Sequence, residues 1–224
     1  KVGDKRYVPI RHTRFAKNYR HYYHSDVAVL NGAKLERGAQ ICSYCFFTSF
    51  KTLNKFGMPA AKISLDNAKF NKLFYFVANV VVYRESDGRC LILKRSEREK
   101  AHPGRWAVPG GKLEWENLDL AKPTRINGDI LDFENKIAEL LHRETKEEAG
   151  IEIEDNLRYI NNVVFVRSDE IPVVLVKFAA KYKGGEVKPQ EGDFTEYAWV
   201  NAQEVKNYPC IDGIAEEVEQ TIKM

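Results

Sequence analysis

Gly110-Gly111-Lys112-Leu113-Glu114 and, after an interruption, Ala138-Glu139-Leu140-Leu141-His142-Arg143-Glu144-Thr145-Lys146-Glu147-Glu148-Ala149-Gly150-Ile151 are the stretches whose reading decides the fold. Ile137, Leu140, Leu141 and Ala149 recur at helical spacing, and Gly150 supplies a left-handed stop. The spacing predicts a helix with Glu144, Glu147 and Glu148 on the face opposite the apolar one. That arrangement is locally unfavourable, because Glu144 and Glu148 repel at i,i+4 and the end of a helix prefers cations. Arg143, four residues before Glu147, can pair with it, yet one arginine cannot neutralise three carboxylates. A divalent cation can, since hard oxygen ligands on a rigid helix suit Mg²⁺ or Mn²⁺. A solvated acidic face is the bland alternative.

The same residues resemble the box of the Nudix hydrolase family, G-x5-E-x7-R-E-U-x-E-E-x-G-U with U aliphatic. This chain supplies Gly111, Arg143, Glu144, Glu147, Glu148, Gly150 and Ile151, and Gly104-Arg105-Trp106-Ala107-Val108-Pro109-Gly110 looks like the family's lead-in strand and turn. Two departures stand out. Thr145 replaces an aliphatic residue, and Gly111 to Arg143 spans 32 positions where the pattern has 14, an insertion of 18 residues. The box's first Glu is displaced as well: the two counting registers reach Asn117 and Asn135, flanked by Glu116 and Glu134.

The resemblance implies an α/β fold, a three-layer α/β/α sandwich around a mixed sheet. It implies an enzyme that cleaves a phosphoanhydride of a nucleoside diphosphate linked to another group, a nucleoside triphosphate, nucleotide sugar or dinucleotide. Glu144, Glu147 and Glu148 would hold Mg²⁺ or Mn²⁺, with the Gly110 carbonyl as a further ligand. Glu144 is the first candidate base, Glu191 the second, and Arg143 would orient the helix acids. Lys112, Arg95 and Trp106, which border the box, are the candidate substrate contacts. Two rivals stand beside this reading: an RNA 5′-end pyrophosphohydrolase, and a non-catalytic Nudix-fold sensor of nucleotides. The glutamate trio argues against the sensor, because a binder need not keep repelling acids.

At 224 residues the chain can hold one ordinary core plus an extension. No run approaches the ~18 apolar residues of a membrane span, and four irregularly placed cysteines favour a reducing, cytoplasmic compartment over a disulfide framework. The net charge of +3 conceals an asymmetry. Residues 1–72 carry 14 Lys/Arg against 4 Asp/Glu, or +10, and the remainder carries 21 against 28, or −7. A boundary is therefore expected near Asn71, with a basic, aromatic extension over 1–72 and the hydrolase domain over 73–224.

In the extension, interleaved Arg and Tyr can track a phosphate backbone and stack bases, or form a charged surface around a small aromatic core. His21, His24, Cys42 and Cys45 make two x2-spaced pairs suited to one tetrahedral zinc, or are surface histidines and buried thiols. By family analogy the extension is a zinc module or a small sheet that helps form a homodimer. Val27–Leu30 and Gln40–Phe47 are candidate strands across Asn31-Gly32. Further on, the pattern predicts a hairpin of Leu73–Tyr83 with Cys90–Leu93, strands at Leu157–Arg167, Ile171–Tyr182 and Thr195–Val200, and a turn at Lys183-Gly184-Gly185. Asn201 is expected to cap a short helix, Asp212 to start the last one, and the insertion, with Pro123 and Asn127-Gly128, to leave the box as an excursion.

Overall fold

Leu73–Tyr83 is too apolar to sit at a sheet edge, and it forms the centre of the fold. The computed structural model describes residues 29–30, 33–34 and 58–224. The chain divides into two compact units, Lys1–Gly57 and Met58–Met224. In the first unit, β1 (Val29–Leu30) pairs antiparallel with β2 (Ala33–Lys34). The pairing crosses Asn31-Gly32 as expected, but the second strand begins at Ala33. Gln40–Phe47 and the candidate zinc ligands His21, His24, Cys42 and Cys45 lie outside the described residues.

The second unit is an eight-stranded mixed sheet. Its strands are β3 (Tyr75–Arg84), β4 (Arg89–Arg95), β5 (Trp106–Ala107), β6 (Gly110–Lys112), β9 (Ile151–Ile153), β10 (Arg158–Val166), β11 (Pro172–Gly185) and β12 (Phe194–Val200). The main path runs β10-β11-β3-β4-β12, with β5 on β4, β6 on β3 and β9 on β11. β3 and β4 form the expected hairpin only next to its turn, Tyr83 opposite Cys90 and Arg84 opposite Arg89. Beyond that they diverge, and β6 lies antiparallel to β3 while β11 runs parallel to it on the other side. Flanked on both edges, β3 buries Ala78, Val80, Val81 and Val82 completely or nearly so, which accounts for its unbroken apolar run.

The box helix α1 (Lys136–Ala149) stops at Gly150, whose φ of 75° is the left-handed conformation that glycine adopts without steric cost. Helix α2 (Ile214–Ile222) lays Ile214, Val218 and Ile222 on the core. The helices cover opposite faces of the sheet. Gly111, in register with Ala78, faces Glu144 of α1, whereas Lys177, in register with Asn79 one residue along, donates to Glu217 of α2. Alternation along a strand sends neighbouring side chains to opposite faces, so this register gives the three-layer sandwich.

Three local expectations change. Lys183-Gly184-Gly185 is not a turn: β11 runs through it by a register shift between Tyr182 and Gly184 and pairs with β9. Asp212 does not cap α2; Gly213 occupies that position at φ 94°, where a Cβ would stand 3.1 Å from Glu217 Oε1. Asn201 caps a single 3₁₀ turn, Glu204–Asn207, its Oδ1 accepting from the amides of Gln203 and Glu204 at 2.9 Å each. The insertion is an excursion, as expected. It is an exposed hairpin of β7 (Arg125–Asn127) and β8 (Ile130–Asp132), tied by Arg125 to Asp132 at 2.9 Å and to Glu134 at 3.1 Å.

The Lys177–Glu217 pair was not legible in the sequence. Glu217 is 2% exposed, and burial raises its pKa while Lys177 lowers it. Glu217→Gln keeps the volume and removes the charge assistance, so it should cost about 1–2 kcal/mol in urea unfolding.

Candidate active site

Proline and glycine shape the strand on which the site is built. The Pro109 carbonyl accepts from the Val80 amide at 2.9 Å and holds the entry to β6 against β3. A Cβ on Gly110 would lie 2.3 Å from Asn79 Oδ1 and 2.4 Å from the Ala78 carbonyl; one on Gly111 would lie 2.3 Å from Glu144 Oε1. The two glycines therefore let β6 lie flat on β3 and let α1 press a carboxylate onto it.

Two box acids use that space. Glu148 Oε2 accepts from the Gly110 amide at 2.9 Å, and its carboxyl is pushed up to about 8. Desolvation is the main cause; the Gly110 hydrogen bond opposes it, Glu144 adds to it, Arg95 opposes and Asp193 adds. Glu144 is also raised, first by burial, against the pull of Arg143 and with repulsion from Glu147 and Glu114. Glu147 departs from the expected common face. It projects outward, its side chain half exposed, and accepts from Arg143 Nη1 at 2.9 Å, while Arg143 Nη2 donates to Glu144 Oε1 at 2.6 Å. Arg143 thus spans both acids. Thr145, where the box has an aliphatic residue, is fully buried and spends its hydroxyl on the Leu141 carbonyl at 2.6 Å, so the apolar layer tolerates it.

The other candidates separate. Glu191 is exposed, and it is Asp193 whose charge bears on Glu148. Gln190 N donates to the Glu148 carbonyl at 2.9 Å and Ser96 N to the Asp193 carbonyl at 2.8 Å, which pins this loop between α1 and β4. Arg95 flanks the site but is committed to Glu99 and to the Ala101 carbonyl at 2.8 Å. Trp106 cannot meet a substrate: it is 6% exposed and packs edge to face on Tyr208, ring centroids 4.8 Å apart. Lys112 is exposed, but it stands in register with Val77 and so points to the sheet face opposite Glu144. His142 stays on the helix surface, Nε2 3.1 Å from Asp155 Oδ1 and too poorly aligned for a hydrogen bond.

Glu114 and Asp193 are the acids that sequence reasoning missed. Glu114 lies in the opening stretch itself, yet periodicity could not show that the strand exit returns it toward Glu144. Neither counted position restores the box's first Glu, and Asn135 instead begins α1 at φ 62°.

As placed, no three His, Cys, Asp or Glu side chains among the described residues converge closely enough to enclose a metal ion. The chemistry of the donor set nevertheless fits one. Glu144 and Glu148 are hard oxygen donors, desolvated and mutually repelling, and an adjacent divalent cation would favour the ionised form of both. Among the described residues no helix is long and apolar enough to cross a membrane.

The NUDIX domain family model matches residues 75–218. A NAD-capped RNA hydrolase NudC of Chromobacterium violaceum is 34% identical over 129 residues, 57% of this chain and 39% of that protein, so the chain spans well under half of this relative. A nucleoside triphosphatase NudI of Escherichia coli is 27% identical over 134 residues, 55% of this chain and 81% of that protein. Among solved structures, the NUDIX domain of Shewanella oneidensis NrtR, complexed with ADP ribose, superimposes with a TM-score of 0.50 at 16% identity, covering 71% of this chain and 94% of that one. This last likeness concerns the fold alone.

Proposed function

This chain belongs to the NUDIX domain family, and from that premise we propose that it is a Mg²⁺- or Mn²⁺-dependent hydrolase of a phosphoanhydride in a nucleoside diphosphate linked to another group. One observation carries the reading: α1 presses two desolvated carboxylates, Glu144 and Glu148, onto a strand whose Gly110 and Gly111 have no side chain to hold them off. Glu144 and Glu148 would hold the cation, with Glu147 at the rim. The metal would offset charge on the transferring phosphoryl group and acidify a bound water. Glu144, with its raised pKa and its Arg143 contact, is the better placed base. Asp193 replaces Glu191 as the loop acid that tunes Glu148.

Release of phosphate or pyrophosphate from a panel of nucleoside triphosphates, nucleotide sugars and dinucleotides, with Mg²⁺ and with chelator, tests this. Cleavage of at least one class, lost on chelation, is expected; inactivity across the panel with either metal would reject it. A second reading, hydrolysis at an RNA 5′ end, is favoured by the +10 charge of residues 1–72 and by the NudC likeness. Capped or triphosphorylated RNA in the same assay, turned over with a steep salt dependence, would support it.

The insertion hairpin exposes Ile126 and Ile130, 60% and 57% accessible, on a segment that leaves the chain between β6 and α1. We assign it as a specificity wall. Closing a loop of 18 extra residues costs little, since the entropy grows only as ~(3/2)RT ln n. Excising it should preserve metal-dependent cleavage of the best generic nucleotide while altering the order of preference among substrates. A folded, metal-binding protein that cleaves nothing on the panel would show instead that the hairpin carries chemistry.

A further inference from the structure

The main path of the sheet ends at β10 on one side and β12 on the other, and the two edges differ in kind. At β12, Glu196 carries a charge, tied to Lys94 at 2.7 Å, and the register shifts between Phe194 and Glu196. A charge and a bulge are ordinary means of keeping an edge from pairing with another chain. The end of β10 has neither. Asn161-Asn162-Val163-Val164-Phe165-Val166 carries no charge and keeps an unbroken register with β11, and the one register shift of β10 comes earlier, between Tyr159 and Asn161. Val163, Val164, Phe165 and Val166 are 39%, 59%, 40% and 68% exposed, so both faces of the strand stand open along with its rim.

The backbone of that rim is aimed outward at alternate residues. The Arg167 amide donates to the Ile171 carbonyl at 3.0 Å. Bonding to one neighbour alternates along an antiparallel strand, so Phe165 and Val163 spend their amides and carbonyls on β11, and those of Asn162, Val164 and Val166 point away from the sheet. Val166 stands opposite Pro172, which has no amide to give, in agreement with this phase. A bare, apolar strand edge is completed by another extended strand. The ends of β10 say which. Arg158 at its start is exposed and uses only Nη1, on the Met224 carbonyl at 2.6 Å. In the exposed turn that follows β10, Arg167 and Asp169 neutralise one another at 2.8 Å, so Glu170 sets the sign of that end. An antiparallel copy of the same strand brings the cationic end of each to the acidic end of the other.

We propose that β10 pairs with β10 of a second copy of this chain, antiparallel about a two-fold axis at Val164, so that one sheet runs through both copies. Val164 faces its own counterpart with amide and carbonyl both bonded, Val163 faces Phe165 of the partner subunit, and Asn162 faces Val166 of the partner subunit. Arg158 and the Glu170 turn lie about 20 Å to either side of the axis and meet their opposites there. The pairing is isologous, consumes the edge and stops at two. The nine residues of β10 are under half of the roughly 20–30 a side of a standard interface. The dimer is therefore a weak one, with a dissociation constant on the order of 10–100 μM.

Sedimentation velocity of the full chain, from well below to well above that concentration, tests it. The parent should pass reversibly from monomer to dimer. Val164→Lys, which sets a charge at the axis, and Val164→Pro, which removes an amide that β11 does not use, should each weaken the dimer about 10-fold or more with the circular dichroism unchanged. Arg158→Glu and Glu170→Arg each set like charges together at both ends of their own dimers, so each alone should associate less than the parent. A one-to-one mixture of these two restores opposite charges at both ends and should associate more tightly than either component. A parent that stays monomeric throughout, a dimer that both Val164 variants leave intact, or a mixture no tighter than its components would overturn the pairing.

Discussion

Glu148→Gln is expected to lower turnover of the best substrate by 10²-fold or more, several kcal/mol of transition-state stabilisation, without unfolding the protein. The side chain is desolvated and takes the Gly110 amide at 2.9 Å, an acceptor role the Gln oxygen can keep. What the variant loses is the negative charge. Because burial and the Glu144 charge penalise that charge, the metal-free fold should be unharmed or stabilised while activity collapses. Glu147→Gln should cost less, since Glu147 points outward and is paired with Arg143. Initial rates at saturating Mg²⁺, with circular dichroism on the same samples, check both. Near-parental turnover in Glu148→Gln would remove this residue from the site.

Gly111→Ala should be nearly as damaging, by a different route. The added methyl would lie 2.3 Å from Glu144 Oε1, 2.4 Å from its carboxyl carbon and 2.8 Å from its Cγ. All three atoms belong to a side chain that can swing aside, so the fold survives and the carboxylate moves. A loss on the order of 10²-fold in kcat/KM is expected, in keeping with the cost of an ångström-scale misplacement. Gly110→Ala meets backbone instead, the Ala78 carbonyl at 2.4 Å and Asn79 Cα at 2.7 Å, so its main effect should appear in thermal unfolding. Parental kinetics in Gly111→Ala would show that Glu144 does not act from the position it occupies.

The contrast between neighbouring glycines shows what a sequence can and cannot convey. The box helix and its stop at Gly150 were legible from helical spacing, and the glycine pair, Arg143 and the glutamates from their resemblance to the Nudix box. Periodicity could not separate Glu147 from Glu148, although they are adjacent, because the difference comes from what lies across from the helix: Gly110 faces one and solvent the other. Asp193 was missed in favour of Glu191 for the same reason, since backbone hydrogen bonds to Ser96 and to the end of α1 set the loop in which its charge bears on Glu148. Trp106 looked like a ligand contact because it precedes the glycine turn, yet Tyr208, about a hundred residues later, buries it. The main-sheet strands were largely readable from apolar runs, whereas the path of β11 through Gly184-Gly185 was hidden by residues that ordinarily mark a turn.

The central claim, that Glu144 and Glu148 form a divalent-cation site, can be tested without any substrate. A carboxyl whose folded pKa of about 8 lies far above its unfolded value contributes stability at low pH that is lost as pH rises through about 8. Metal-free protein should therefore melt lower at pH 8 than at pH 6, an effect of at most about 3 kcal/mol, and a cation that binds the ionised pair should reverse it. Thermal melting at both pH values, with and without Mn²⁺ or Mg²⁺, is the direct measurement. The metal should raise Tm more at pH 8 than at pH 6 in the parent protein and have little effect at either pH in Glu148→Gln. An equal metal-induced shift in parent and variant, or none in the parent, would contradict the assignment.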